Sequence, residues 1–271
     1  MTQLELPIAE ALPQIFKRPL LHVDQSDQFL TVATFLALGP QIYVDGLVVL
    51  DTNRPVGVIG GRHIIEYILY HRSDFLKAGA SDIMSRSVFP LEVTRPVNDA
   101  IEIFEKTGFA FVPITVCQKV VTSLSVRDML SLAVKSKLET PVRALSSQAI
   151  TVGNDASVGS TLELMLEQGV RSIIVRKNNK NAIINDRKIL EYLVSHAGRE
   201  VILSGGLEGL FQIDVAILEP IEACQVRDNM SASEAAERLL DINTSCLMLN
   251  NGSIVTPWDI VMKGLERPLS V

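Results

Sequence analysis

The sequence has few cysteines, and their spacing indicates neither disulfide bonds nor a metal site. There are three in 271 residues, Cys117, Cys224 and Cys246. Scattered, unpaired thiols are typical of proteins kept in a reducing compartment. The stretch from Met1 to Glu5 also lacks the basic start and apolar core of a signal peptide. We therefore expect a cytoplasmic protein without a bound metal or cofactor.

Long apolar runs and an excess of positive charge are missing as well. Apolar residues make up 47% of the chain, but no run approaches the roughly 18–20 residues that a membrane span needs. Net charge is −6, with 12 basic against 14 acidic residues up to position 136, and 13 against 17 beyond it. Neither half has the basic excess of a nucleic-acid-binding protein. Membrane and nucleic acid are thus unfavoured partners, although a local basic pocket for a small anion is compatible with these totals.

Motifs of the common catalytic sites are absent. The sequence contains no Gly-x-x-x-x-Gly-Lys, no nucleophile elbow and no His-Glu-x-x-His. His22, His71 and His196 are scattered without the spacing of metal ligands. We therefore expect a protein that is not an enzyme and has no catalytic residues.

What the chain does contain is a repeated junction between an apolar strand and a helix. Thr256 stands where a helix N-cap belongs, Pro257 at the first helical position and Asp259 at the third. Ser125 and Asp128 repeat this arrangement 131 residues earlier. A recurrence at about half the chain length indicates a duplication.

Four segments share one order of elements: an amphipathic helix, a strand, a polar turn, a second strand and a second helix. The fourth residues of their strand-to-helix junctions are His63, Asp128, Lys188 and Asp259, at intervals of 65, 60 and 71. We call these segments units one to four. A unit this small cannot bury both faces of its sheet alone. The sequence predicts an α/β fold of four sheet-plus-helix units in two pseudo-symmetric tandem pairs, 1–136 and 137–271.

Unit two carries motifs that resemble the cystathionine-β-synthase (CBS) domain. They are Asp82-Ile83-Met84-Ser85, Phe111-Val112-Pro113-Ile114 and Ser125-Val126-Arg127-Asp128. As four tandem copies, the chain resembles archaeal stand-alone CBS proteins and the gamma subunit of AMP-activated protein kinase. The resemblance implies clefts that bind AMP, ADP or ATP, or in some relatives S-adenosylmethionine.

The junctions suit an adenosine nucleotide. Asp128 or Asp259 can accept from the ribose hydroxyls, while Ser125 or Thr256 and the free N–H groups of the helix start suit a phosphate. Arg127 can add a positive charge there. The resemblance further implies that adenine lies against the lead-in segment, meaning the residues just before the first strand of a unit. The candidates for the adenine slot are Ser87, Val88, Phe89 and Phe111 in unit two, and Glu219, Ile221 and Met248 in unit four.

Units one and three depart from this pattern. Unit one reads Gly60-Gly61-Arg62-His63, without hydroxyl or carboxylate, and unit three has Lys188 in place of the ribose acceptor. We expect both to be poor nucleoside sites. Arg62, His63, Arg171 and Lys188 instead become candidate cations for phosphates.

The predicted function is a non-catalytic sensor or regulatory protein that binds AMP, ADP or ATP. Two alternatives stay open at this point: a scaffold without ligand, because Ser/Thr-x-x-Asp is also a variant of the helix capping box, and another adenosyl ligand such as S-adenosylmethionine. A homodimer and a regulated partner protein are compatible with the sequence, which identifies neither.

Overall fold

A computed structural model describes residues 2–39, 45–52, 54–72, 75–177, 180–241 and 243–265. Asn53, Asn178 and Asn179, which fall in two of the expected polar turns, lie outside these ranges. Four small sheets with flanking helices account for most of the described chain, which confirms the predicted mixed α/β fold of four units.

The first half begins with a lead-in segment that contains α1 (Ile8–Ala11) and a 3₁₀ turn (Pro13–Lys17). Unit one comprises β1 (His22–Asp24), α2 (Phe29–Leu38), β2 (Leu47–Asp51), β3 (Arg54–Ile59) and α3 (Gly61–Tyr70). After a 3₁₀ turn (Phe75–Lys77), unit two comprises α4 (Ala80–Ile83), β4 (Leu91–Glu92), α5 (Val97–Thr107), β5 (Phe111–Val116), β6 (Lys119–Ser125) and α6 (Val126–Lys135).

The second half repeats this order. Unit three comprises α7 (Val142–Leu145), β7 (Ser147–Gln148), β8 (Thr151–Gly153), α8 (Val158–Glu167), β9 (Ser172–Lys177), β10 (Lys180–Asn185) and α9 (Asp186–Val194). The added α10 (His196–Gln212), kinked at Gly206, and a 3₁₀ turn (Val215–Leu218) precede unit four. That unit comprises β11 (Ile221–Glu222), β12 (Cys224–Val226), α11 (Ala232–Leu239), β13 (Leu247–Leu249), β14 (Ser253–Val255), α12 (Pro257–Asp259) and a π-helical turn (Ile260–Gly264).

Each sheet has the same core topology. A short first strand pairs in parallel with the central strand, which pairs antiparallel with the strand that enters the last helix. Gly108 and Gly169 end or follow the preceding helices in units two and three with φ of 69° and 63°, in the left-handed region that glycine adopts without strain. In both units, the chain therefore leaves the helix at a glycine and turns towards the central strand.

The hydrophobic cores join units from different halves of the chain. One core draws on units one and three, with α2 packed against α9. Another draws on units two and four, with α6 packed against α11. Within a half, the units meet through their sheets, as where Ile174 and Ile183 of unit three pack with Met248 of unit four. Both of these cores contain residues from either side of residue 136. The division of the chain into two domains at that residue stays a prediction.

Lead-in segments are exchanged within each pair. β7, which leads into unit three, pairs with β14 of unit four, and β11, which leads into unit four, pairs with β10 of unit three. In the first half, Ser85 forms a bridge to Val58 of unit one, and the 3₁₀ turn before unit one lies beside β6 of unit two. Every junction is therefore flanked by the lead-in segment of its partner unit.

Within the described ranges, the helices are too short or too polar for any of them to cross a membrane.

Candidate functional site

The junction of unit four centres on the buried carboxylate of Asp259. Its Oδ2 accepts the backbone N–H of Thr256 at 2.9 Å and the Thr256 hydroxyl at 2.7 Å. Its Oδ1 accepts the Ser147 hydroxyl and the Lys263 ammonium, each at 2.7 Å. The Asp259 side chain is 6% exposed, whereas that of Lys263 is 43% exposed. One oxygen is thus fixed by the helix cap, and the other meets two side-chain donors.

The junction of unit two has the same cap but a different cation. Asp128 Oδ2 accepts the backbone N–H of Ser125 at 2.7 Å and its hydroxyl at 2.9 Å. Arg18 then donates to both carboxylate oxygens, at 2.7 Å to Oδ1 and 2.6 Å to Oδ2. Both side chains are at most 10% exposed. Burial raises the pKa of Asp128, and the guanidinium of Arg18 opposes that shift.

Arg127, the expected phosphate ligand of unit two, points to unit four instead. Its Nη1 donates to the backbone carbonyls of Leu239, Asp241 and Thr244. Leu239 is the last residue of α11, so the guanidinium satisfies the carbonyl group at the end of that helix and holds the turn that follows it. A phosphate contact would require Arg127 to leave these carbonyls.

In unit three, the junction carboxylate belongs to Asp186, at the first position of α9. Lys188 stands at the third position, where units two and four have their aspartate. Asp186 is 4% exposed and accepts Arg171 Nε at 2.7 Å and the backbone N–H of Arg187 at 2.9 Å. Asp186 raises the pKa of Arg171 above its usual value. Lys188 forms a surface ion pair with Glu191 at 3.2 Å.

A small cleft lies between units one and three at this point. The empty space between the atoms that line it, open solvent included, is about 210 Å³. The residues around it are Arg62, Ile65, Met165, Leu166, Val170, Arg171 and Asp186. The cleft therefore brings together Arg62 and Arg171, two of the cations that the sequence singled out.

His63 of unit one caps its own helix. Its Nδ1 accepts the backbone N–H of Gly60 at 2.9 Å, and its ring meets Phe109 edge-on at 5.1 Å. Burial, followed by the positive charges of Arg62 and Arg171, lowers its pKa to about 4. His63 is therefore neutral at physiological pH and brings no positive charge to a phosphate.

The exchange of lead-in segments bears on how the expected adenine-slot residues are grouped. Ser87, Val88 and Phe89 follow Ser85, which bridges to Val58 of unit one. Ile221 pairs with Ile183 of unit three, while Ser147 of the lead-in to unit three donates to Asp259. The sequence does not reveal that a lead-in segment crosses to the partner sheet. Ligand contacts of these residues stay a prediction.

The remaining slot residues differ in exposure. Phe111 is 4% exposed and packs against unit one, where a Cβ on Gly46 would lie 2.0 Å from its ring. Met248 is also buried, between the sheets of units three and four. Phe89 lies under the ammonium of Lys106 at 4.9 Å, and Glu219 is exposed with a φ of 50°. Phe111 and Met248 thus fill the interface between paired sheets.

Sequence reasoning missed Arg18, Ser147 and Lys263, which hold junction carboxylates, and it missed Asp186, which is the junction carboxylate of unit three. Lys263 stands four residues after Asp259, a spacing that signals an ion pair on a helix. Asp186 follows the capping residue Asn185 directly, at the favourable N-terminal end of a helix dipole. Arg18 and Ser147 have no local signal, because lead-in exchange brings them from 110 and 112 residues away.

Comparisons with known proteins agree with this architecture. The family model of the CBS domain matches residues 80–135 and 142–195. A Methanocaldococcus jannaschii protein proposed as an archaeal homolog of the gamma subunit of AMPK superposes with a TM-score of 0.79 at 15% identity, covering 91% of this chain and 96% of that chain. An uncharacterised conserved protein of Pyrococcus horikoshii gives a TM-score of 0.55 at 13% identity, covering 82% and 92%. No curated protein sequence matches the chain.

Proposed function

Because this chain is a CBS-domain protein of four units, we propose that it is a non-catalytic regulatory protein that binds an adenosine nucleotide, AMP, ADP or ATP, at the junction of unit four. The geometry around Asp259 carries this proposal. The cap fixes the direction of its carboxylate, and Oδ1 accepts two hydrogen bonds from the side chains of Ser147 and Lys263. A ribose diol offers two hydroxyl donors and can replace that pair.

The exposure of Lys263 makes such a replacement inexpensive. Its side chain is 43% exposed, so its ammonium can return to water without the penalty that a buried cation meets. Leaving also ends its bonds to the Leu145 carbonyl and the Ser147 hydroxyl. The helix that begins at Pro257 adds the partial positive charge of its N-terminus, which favours a phosphate nearby.

Binding rather than turnover is the output that this site supports. Four donors surround the carboxylate of Asp259, so it has little capacity left to take a proton as a general base. The thiol of Cys246 is fully buried. Burial raises its pKa to about 12, and the negative charge of Asp259 adds to that shift. Neither group is suited to covalent or acid–base chemistry.

The test is calorimetric titration of the full chain with AMP, ADP, ATP and GMP, combined with thermal unfolding. A nucleotide at about 100 times its dissociation constant stabilises by about 2.7 kcal/mol. Asp259→Asn should weaken binding at least tenfold, because a bond to a charged acceptor contributes about 1.5–3 kcal/mol. Asp128→Asn is the matched control: it alters a carboxylate in the same cap that Arg18 already occupies.

Two alternatives are separated by the same titration when S-adenosylmethionine is added to the set of ligands. If S-adenosylmethionine binds and the nucleotides do not, the site is right and the ligand class is wrong. If none of these ligands binds, the junctions are helix caps only, as in a ligand-free scaffold. A cytosolic location and a homodimer remain predictions from the sequence.

A further inference from the structure

Arg18 occupies the place at unit two where a ribose would meet Asp128. The guanidinium makes a two-pronged contact with both carboxylate oxygens, at 2.7 and 2.6 Å, and also donates to the Ser123 carbonyl at 2.5 Å. The side chains of Arg18 and Asp128 are 10% and 9% exposed. Together with the Ser125 cap, these bonds leave the carboxylate without an oxygen that faces a movable donor.

The segment before Arg18 is anchored along its length, so this contact is not a chance meeting of surface side chains. Ile8, Leu12 and Ile15 are fully buried in the core that units two and four share. The Thr122 hydroxyl donates to the Ile15 carbonyl at 2.9 Å, and Lys135 Nζ donates to the Ala11 carbonyl at 2.9 Å. The backbone therefore delivers Arg18 to Asp128 in a fixed position.

We propose that Arg18 is a built-in occupant of the unit-two junction that excludes the ribose, so that the chain binds one adenosine nucleotide and not two. This inference rests on the proposed function only for the identity of the ligand. By this inference, Arg18 determines how many nucleotides the chain binds. The capping motif alone, present in units two and four, would predict two.

The contrast with unit four gives the expected size of the effect. Lys263 contacts one oxygen of its carboxylate and its side chain is 43% exposed, whereas Arg18 contacts both oxygens and is 10% exposed. A planar, two-pronged guanidinium is harder to displace than a single ammonium. Breaking a buried ion pair is far more costly than breaking an exposed one. We expect the unit-two junction of the wild type to bind nucleotide on the order of 100-fold more weakly than that of unit four.

The experiment is calorimetric stoichiometry with AMP on the wild type, Arg18→Gln and Arg18→Gln/Asp128→Asn. We expect one site in the wild type, two in Arg18→Gln and one again in the double variant. Circular dichroism and the unfolding midpoint establish that each variant is folded. Arg18→Lys is the milder variant if the glutamine is not tolerated: it keeps the charge, cannot bond both oxygens in the same fork, and should show a second, weaker site.

The outcomes separate this inference from the proposed function. Two equal sites in the wild type, with one lost in Asp128→Asn, would overturn the inference and leave nucleotide binding intact. A folded Arg18→Gln and a folded Arg18→Lys that each still bind one AMP would overturn it as well. No site in the wild type but one in Arg18→Gln would support the role of Arg18 and refute the assignment of unit four. No binding by any variant would overturn both.

Discussion

Gly61→Ala is predicted to destabilise the protein because Gly61 of unit one lies directly against Asp186 of unit three. A Cβ at this position would lie 2.2 Å from Asp186 Oδ2 and 2.9 Å from the Asp186 Cβ, about 1 Å inside an ordinary contact. Asp186 cannot turn away freely, since Arg171 Nε and the Arg187 N–H hold its two oxygens at 2.7 and 2.9 Å. Either the helices separate or the ion pair between buried Asp186 and the partly exposed Arg171 is disturbed, at a cost of about 1–3 kcal/mol.

Urea unfolding of Gly61→Ala and Gly205→Ala measures this cost. Gly205 is exposed in α10, and a Cβ there would meet nothing within 4 Å, so the same substitution should be neutral or stabilise by about 0.5–1 kcal/mol. Asp186→Ala removes the group that clashes, so the double variant Gly61→Ala/Asp186→Ala should be less destabilised than the sum of the two single variants. A Gly61→Ala protein as stable as wild type would refute the packing of α3 onto the start of α9.

Two further measurements test the electrostatics. The pKa of His63 is lowered to about 4 in the folded protein. As the pH falls below about 6.5, the unfolded chain therefore binds a proton at this residue that the folded chain does not bind. The resulting loss of unfolding free energy reaches the order of 3 kcal/mol near pH 4. His63→Gln keeps an acceptor for the Gly60 N–H and should flatten the unfolding free energy between pH 6.5 and 4.5; an unchanged slope would contradict the assignment. At pH 8, a thiol reagent should modify Cys117 in the native protein, because this cysteine is exposed. Cys246 is fully buried and has a pKa of about 12, so it should react only after unfolding. Equal rates of modification at the two cysteines would contradict the sheet packing of units three and four.

Periodicity and helix stops were enough to predict the elements of each unit. Phe29, Val32 and Leu36 stand at helical spacing in the sequence and form the buried face of α2. Such features depend on residues a few positions apart, where helical spacing and N-cap chemistry act directly. The Ser125 and Thr256 caps were predicted for the same reason, and both accept the N–H of the aspartate three residues on.

The partners of the junction carboxylates were not predictable in this way. Ser147 and Arg18 reach their carboxylates only because lead-in segments cross to the partner sheet. Arg127 was expected to contact a phosphate, but it lies at the end of α11 instead. That position depends on how units two and four pack. Such contacts join residues more than 100 positions apart and follow from assembly of the units rather than from local pattern.

The junctions of units two, three and four show how duplicated units can diverge without losing their helix start. Each holds a carboxylate at most 9% exposed, and each takes its cation from a different place: Arg18 from a lead-in segment, Arg171 from just before the central strand, and Lys263 from the helix itself. An ionised carboxylate is strongly destabilising when it is buried without a cation. A unit that loses the cation from one element therefore needs a cation from another. The cations differ in exposure: Arg18 is 10% exposed, whereas Arg171 and Lys263 are 44% and 43% exposed. Units two and four both place their aspartate at the third helical position, and of these two, unit four has the exposed cation, which gives way to a ligand more readily. The place of the carboxylate and the origin of the cation, rather than the capping motif alone, therefore decide which junction can bind.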